Sequence, residues 1–297
     1  MSLAFANIRL GLLAKTVQAS RAFERSIPAL YLGGSRLYTN ATSPTPKEIV
    51  VEKVANLEPE DHPWLSQMPA APKSLLPHER VLTLVVANAG AGKLKDVARD
   101  WKYVPKSCHP AGMEAILQLN CLVGFPKTIN AFAAVQKVGV ERTPEWQEEH
   151  SNEGNYFAVR GDAACEGGSP GGAFAERGCT GDEACSMIYG EKYQKLRARM
   201  AYLHPLLDRF MVEHAYGRVI GRAGCLPLRM RELCVVSVLS GQDVPMQLAS
   251  HVQGALNVGA TQEEVLAVLE NSKLIWGEQT YKQAIEVAKT VFNQAPK

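Results

Sequence analysis

Apolar residues in the C-terminal half of the chain recur at steps of three and four positions, which is the period of an α-helix. Between Arg231 and Glu270 this pattern predicts three short helices in succession. The first, at residues 232–239, is apolar almost throughout after its charged start, so we expect it in a core. The second, at about residues 244–258, has one apolar face formed by Leu248, His251, Ala255 and Val258.

Glycine residues and a capping motif mark the ends of these helices. Gly241 stops the first helix, and Gly259 caps the second, because glycine adopts the left-handed conformation without penalty. Thr261 with Glu264 three residues later forms a capping box, from which the third helix starts. Helical patterning also covers residues 77–138, resumes at Ile188 and includes a C-terminal helix at residues 278–293.

The two halves of the chain resemble each other. Residues 79–90 align with residues 231–242, and residues 122–138 align with residues 275–291. The second alignment places Gly124, where a helix break is predicted, opposite Gly277. This internal similarity predicts two copies of one helical unit, packed as a pseudo-symmetric pair.

The alignment also shows what the first copy lacks. It places Arg80 opposite Glu232, and Arg99 (or Asp100, with one gap) opposite His251. We therefore expect any chemistry that needs a glutamate and a histidine together only in the second copy.

Charge separates the N-terminal segment from the rest of the chain. Residues 1–40 contain five basic residues and a single acidic one, Glu24, and a potential helix there has an apolar side. This composition is typical of a mitochondrial presequence that directs a protein to the matrix, and an ordinary N-terminal surface helix is the alternative. The formal net charge of the whole chain is +2, so the remainder has no basic excess that would indicate nucleic-acid binding.

No apolar run reaches the roughly 18 residues that span a membrane, so no membrane span is expected.

Composition divides the chain into five predicted regions. The regions are a presequence (1–40), a Pro-rich extended linker (41–74), a degenerate N-terminal repeat (75–142), a polar connection with a Gly-rich excursion (143–187) and a C-terminal repeat (188–297).

The seven cysteines are irregularly spaced and are expected to be free thiols in a reducing compartment. Cys165, Cys179 and Cys185 lie in or beside the Gly-rich excursion, without a nearby histidine or a Cys-x-x-Cys pair, so they form a poor zinc site. Gly90–Lys93 lacks the first glycine and the Ser or Thr of a phosphate-binding loop and is expected to be a helix–helix turn. Neither a metal nor a cofactor is predicted.

Several of these segments together resemble the carboxymuconolactone decarboxylase family. The resemblance covers roughly residues 75–140 and 186–292. It implies an all-α fold of two tandem alkylhydroperoxidase D-like repeats, and a homo-oligomer, commonly a trimer or a hexamer. The matching runs are Arg231–Cys234, Ser250–Gly259 and Thr261–Val265, with further similarity at residues 124–131, 188–190, 204–206 and 216–220.

The resemblance implies one of two chemistries. The alkylhydroperoxidase D branch uses a Cys-x-x-Cys pair, a histidine in the same helix and an upstream glutamate. Glu232 and His251 match, but the two cysteine positions hold Val244 and Gln247. Without a thiolate nucleophile no peroxidatic step is possible, and Cys234 is expected to be a small core residue. The sequence therefore predicts that this is not a Cys-dependent peroxidase.

The decarboxylase branch also lacks these cysteines. The resemblance then implies a cofactor-free lyase in which His251, tuned by Glu232, handles a proton as an enol or enolate forms after loss of carbon dioxide. Arg231 or Arg222 is expected to bind the carboxylate of a small carboxylate or lactone substrate.

Structural roles for the same residues remain open. Glu232 lies in the first turn of a helix, where a carboxylate stabilises the helix dipole or a neighbouring arginine. His251 fits a helix-face histidine between the two copies. For the whole protein, the alternative is a non-catalytic structural or scaffold subunit of a larger mitochondrial assembly, because a fold does not by itself establish catalysis.

Overall fold

The computed structural model describes residues 58–65, 70–141, 180–222 and 225–294 of the chain. Within these ranges all regular structure is helical and no strand is present, which confirms the all-α prediction. The predicted presequence and most of the Gly-rich excursion lie outside the described residues. In the described ranges, none of the helices has the length and apolar character needed to cross a membrane.

In its described residues, the N-terminal half contains α-helices and two short 3₁₀ turns. α1 begins at a proline, whose missing N–H costs nothing at this position, and ends at Gly92 with a left-handed φ of 74°. The helices are α1 (Pro77–Ala91), α2 (Leu94–Trp101), α3 (His109–Leu117) and α4 (Asn120–Val138), with 3₁₀ turns at Pro59–Asp61 and Lys106–Cys108.

The C-terminal half contains the three helices predicted from the apolar pattern of residues 231–270. The capping box of Thr261 and Glu264 is present at the start of the third of them. The elements are α5 (Gly181–Tyr189), a 3₁₀ turn (Gly190–Lys192), α6 (Tyr193–Leu203), α7 (Pro205–Arg209), a π-helix (Phe210–Ile220), α8 (Leu228–Leu239), α9 (Pro245–Asn257), α10 (Gln262–Trp276) and α11 (Glu278–Gln294).

The start of α5 corrects the sequence prediction. The polar connection and Gly-rich excursion was predicted to extend to residue 187, with helix resuming at Ile188, but residues 181–187 are helical. A capping box between Thr180 and Glu183 starts the helix, and its apolar face is buried. The helix was missed because it is short and follows directly on a Gly-rich segment that has no periodicity.

The main core joins the two halves. α1 packs against α8 and α10, and the valines at the centres of α1 and α8 are fully buried. Buried hydrogen bonds also cross between the halves: the Ser237 hydroxyl donates to the Thr83 carbonyl (2.8 Å), and the Gln118 amide donates to the Arg231 carbonyl (3.2 Å). A smaller apolar cluster lies between α5 and the π-helix.

The two glycines aligned by the internal repeat have nearly the same backbone conformation. Gly124 has φ 80° and ψ 165°, which breaks α4 as predicted, and Gly277 between α10 and α11 has φ 89° and ψ 168°. This similarity agrees with the alignment, and the pseudo-symmetric pairing of two copies stays a prediction. At the degenerate positions, Arg80 donates to the Asn271 side chain (3.1 Å), and Arg99 forms ion pairs with neighbouring aspartates of α2.

The part of the predicted linker at residues 58–65 is held against α1 and α2. His62 is fully buried, and its Nε2 lies 3.0 Å from Oδ1 of Asp100. The other oxygen of Asp100 accepts a hydrogen bond from Asn88 at 2.7 Å. The guanidinium of Arg99 stacks on the ring of Trp64, 5.5 Å from its centroid. A buried polar network therefore fixes this segment to the body of the protein.

Candidate functional site

The structure brings together the glutamate and the histidine predicted as the catalytic pair. Glu232 lies early in α8 and His251 lies in the middle of α9, and these two helices pack against each other. The Nδ1 atom of His251 lies 2.8 Å from the Oε2 atom of Glu232. Because an ionised carboxylate only accepts hydrogen bonds, Nδ1 is the donor of this bond, and Nε2 is the ring nitrogen that Glu232 does not engage.

The hydrogen bond between His251 and Glu232 offsets part of the cost of burying the carboxylate. Glu232 is 0% exposed and His251 is 8% exposed. A carboxylate removed from water is costly unless it is paired, and the imidazole supplies that partner for one of its oxygens. The second oxygen, Oε1 of Glu232, is buried without a hydrogen-bond donor in the described part of the chain. Such an atom is uncommon in folded proteins.

Two tyrosines adjoin the pair. Tyr189, at the end of α5, approaches His251 edge-to-face, with 6.2 Å between the ring centroids. Its hydroxyl is hydrogen-bonded to the hydroxyl of Tyr216 in the π-helix. Burial raises the pKa of both phenols above the usual range, and the Glu232 carboxylate raises both further. Both hydroxyls therefore remain protonated at physiological pH.

Gly254 allows the helices of the site to approach closely. It lies one turn after His251 on α9, and a Cβ added there would be 2.7 Å from Cγ2 of Ile188 and 2.9 Å from Oε2 of Glu232. Real Cβ atoms essentially never approach so closely, so glycine is needed at this position. The Asn257 amide donates to the Ile188 carbonyl at 2.8 Å and fixes α9 against α5.

The two arginines predicted to bind substrate share a protein carboxylate. Arg231 Nη2 donates to Oε2 of Glu114 in α3 at 2.9 Å, and Arg222 Nε donates to the same oxygen at 3.1 Å. A substrate carboxylate would therefore have to share or displace Glu114. The substrate-binding role of Arg231 and Arg222 stays a prediction.

Two buried cysteines of the C-terminal half, Cys234 and Cys185, are poorly suited to act as nucleophiles. Cys234 is fully buried in the core, and burial raises the pKa of its thiol to about 12, so the thiol stays protonated. Burial likewise raises the pKa of Cys185 to about 12. The described ranges contain no group of three or more His, Cys, Asp or Glu side chains that could hold a metal ion.

Tyr189, Tyr216 and Glu114 were not predicted from the sequence. The two tyrosines are 27 positions apart and meet only because α5 packs against the π-helix. Glu114 is 117 positions from Arg231. The available signal was weak: Tyr189 and Tyr216 lie in runs that resemble the family, but neither carries a local spacing that indicates chemistry.

Comparison with known proteins finds a family match in the C-terminal part of the chain. Residues 205–290, which include Tyr216, Glu232 and His251, match the model of the carboxymuconolactone decarboxylase family. The chain is also 28% identical over 176 residues to "Peroxisomal protein 2" of Schizosaccharomyces pombe, an alignment that covers 59% of this chain and 73% of that protein. Together with the all-α fold, these matches show that the C-terminal part of the chain, residues 205–290, is carboxymuconolactone decarboxylase-like.

Proposed function

We propose that this protein is a cofactor-free carbon–carbon lyase, which removes carbon dioxide from a small carboxylate or lactone substrate by acid–base chemistry at His251 and Glu232. The observation that carries the proposal is the buried 2.8 Å hydrogen bond between His251 Nδ1 and Glu232 Oε2. This bond orients the imidazole and makes Nε2 the atom that exchanges protons.

The roles of the two residues follow from their positions. Loss of carbon dioxide leaves an electron pair on the substrate, which is held as an enol or enolate until carbon takes a proton. His251 delivers that proton from Nε2, and the Glu232 carboxylate stabilises the imidazolium form that carries it. A carboxylate and an imidazolium together are neutral, so before the transfer the pair adds no net charge to that of the substrate anion.

Removal of the imidazole tests this proposal. Carbon dioxide release from β-keto acids and carboxylated lactones is measured with purified wild type, His251→Gln and Glu232→Gln. We expect both substitutions to lower kcat/KM by about 100-fold or more, the usual contribution of a general acid or base. His214→Gln is the matched control, because His214 is an exposed residue of the π-helix and should leave the rate unchanged.

The same assay addresses the non-catalytic alternative. Large apolar side chains are exposed on α4 and the π-helix, including Phe125, Ile129 and Phe210, and exposed apolar surface of this kind favours contacts with a second copy of the chain. For a scaffold subunit, His251→Gln would change the free energy of unfolding without changing any turnover. Full activity in His251→Gln, or no activity in wild type with any of these substrates, contradicts the lyase proposal.

For location, we propose import into the mitochondrial matrix through residues 1–40. Their five basic residues against a single glutamate support this, whereas the name of the S. pombe relative refers to the peroxisome. Residues 1–40 fused to a fluorescent protein are expected to accumulate in mitochondria, and deletion of these residues from the full chain should abolish mitochondrial signal. A full chain that reaches peroxisomes with or without residues 1–40 would show that the proposal is wrong.

A further inference from the structure

The site contains two hydroxyl groups that the proposed proton transfer does not use. We propose that Tyr189 and Tyr216 form the oxyanion-binding side of the His251–Glu232 site. Tyr189 donates a hydrogen bond to the substrate's carbonyl oxygen as it becomes an enolate, and Tyr216 is a positioning residue that acts through Tyr189. The inference rests on the proposed function, and it specifies the substrate as a ketone or lactone with a carboxylate β to its carbonyl.

The hydrogen bonding of the Tyr189 and Tyr216 hydroxyl groups supports this assignment. Tyr216 is 4% exposed, and in the described part of the chain its hydroxyl has Tyr189 as its hydrogen-bond partner. When Tyr216 donates to Tyr189, the hydroxyl proton of Tyr189 is directed to a different acceptor, because each phenol has only one hydroxyl proton. Within the described ranges the structure records no protein acceptor for it. Donation from Tyr216 also polarises the Tyr189 O–H, which strengthens it as a donor.

Charge at the site favours two neutral hydroxyls over an additional cation. The Glu232 carboxylate and the His251 imidazolium already compensate each other, so a developing enolate needs donors rather than a further full charge. The raised pKa values of Tyr189 and Tyr216 keep these protons in place beside a carboxylate. Preorganised donors in a buried site stabilise a forming oxyanion more strongly than water does.

The backbone holds the two hydroxyls in position. Tyr216 lies in a π-helix of 11 residues, a conformation that is rare and often marks functional sites. Next to it, Gly217 and Gly181 let the π-helix and α5 approach closely: a Cβ on Gly181 would lie 1.9 Å from the Val212 carbonyl oxygen. This approach places Tyr189, at the other end of α5, on a rigid support.

The assigned step balances without an added oxidant or reductant. The bond between the α-carbon and the carboxylate breaks, its electron pair forms the double bond of the enolate, and the carbonyl electrons move to oxygen as carbon dioxide leaves. Tyr189 keeps its proton and donates a hydrogen bond to that oxygen. The His251 imidazolium then transfers its Nε2 proton to the α-carbon, the carbonyl re-forms, and solvent returns a proton to His251.

Binding of substituted phenols tests the inference without turnover. The probes are para-nitrophenol and related phenols, titrated into the full-length protein and followed by the absorbance of the phenolate. Wild type is expected to bind the phenolate form. Tyr189→Phe should weaken this binding about 10- to 100-fold, the value of a hydrogen bond to a charged acceptor. Tyr216→Phe should weaken it about 3- to 10-fold, and the double variant no more than Tyr189→Phe alone.

Tyr193→Phe is the matched control. Tyr193 belongs to the same apolar cluster, but its hydroxyl donates to Asp182, so phenolate affinity should not change. The inference is overturned if wild type binds no phenolate, if Tyr189→Phe binds as wild type does, or if Tyr193→Phe weakens binding equally. Should Tyr189→Phe fail to fold, Tyr216→Phe decides the question. The inference then requires that Tyr216→Phe lowers phenolate affinity. It also requires that, in the lyase assay, the fold decrease in kcat exceeds the fold increase in KM.

The two proposals fail in distinguishable ways. Phenolate binding that depends on Tyr189, without carbon dioxide release from any substrate, contradicts the lyase and supports the oxyanion site. Carbon dioxide release that depends on His251 but proceeds with full kcat in Tyr189→Phe supports the lyase and overturns the oxyanion site.

Discussion

Glu114→Gln is expected to lower the free energy of unfolding by about 3–5 kcal/mol. Glu114 accepts hydrogen bonds from both Arg231 and Arg222, and 1% of the Arg231 side chain and 6% of the Glu114 side chain are exposed. Glutamine has nearly the same shape but no charge, so the substitution removes the carboxylate charge shared by the buried Arg231 and the partly buried Arg222. The cost is the desolvation of an uncompensated charge rather than a loss of packing.

Denaturant unfolding of the full chain measures this effect as a fall in the transition midpoint. Glu286→Gln is the control: it removes the partner of Lys289 in an exposed ion pair and should change stability by less than about 1 kcal/mol. A double variant, Glu114→Leu with Arg231→Met, should recover part of the loss, because a buried ion pair can be replaced by apolar groups. If Glu114→Gln and Glu286→Gln unfold at the same midpoint, the carboxylate does not have the role described.

Gly254→Val is expected to cost about 2–3 kcal/mol of stability and to abolish the proposed activity. The added side chain enters the 2.7 Å and 2.9 Å gaps to Ile188 and Glu232, so α9 must move away from α5 and α8. The same movement lengthens the hydrogen bond between His251 and Glu232. Helix propensity acts in the opposite direction, since valine is a better helix residue than glycine, but by less than about 1 kcal/mol.

Gly259→Ala separates this steric effect from the general cost of replacing a glycine. Gly259 has a φ of 98° and nothing within 4 Å of an added Cβ, so only its backbone conformation is strained, by about 1 kcal/mol. We expect Gly259→Ala to leave turnover and phenolate binding unchanged. Equal losses of stability and activity in Gly254→Val and Gly259→Ala would show that close packing at Gly254 is not needed.

Local sequence signals predicted much of the C-terminal half. The helices α8, α9 and α10 were predicted because Gly241 and Gly259 mark helix ends and the Thr261–Glu264 capping box marks a helix start. Each of these signals depends only on residues close together in the sequence. The His251–Glu232 pair was predicted from the resemblance to the family, because these residues match its glutamate and histidine positions on helices adjacent in the chain. The structure shows the contact, and the catalytic role remains to be tested.

The remaining features depend on contacts between distant segments, which a single sequence does not encode locally. Tyr189 meets Tyr216 only when α5 packs on the π-helix, and the register of that packing depends on Gly181 and Gly217. The partner of Arg231 and Arg222 was also missed, because Glu114 belongs to the other half of the chain. Its sequence context is an ordinary apolar helix, in which one glutamate carries no sign of its role.

The buried hydrogen bonds between the halves constrain how this protein can change over time. Ser237 depends on the Thr83 carbonyl, and Arg231 depends on Gln118 and Glu114, so the interior of the half without the acid–base pair is tied to the half that has it. Substitutions in the N-terminal half are therefore expected to be tolerated better on its solvent-facing side than along the buried faces of α1 and α3. The N-terminal half therefore serves as the inner wall against which the half with the His251–Glu232 pair packs.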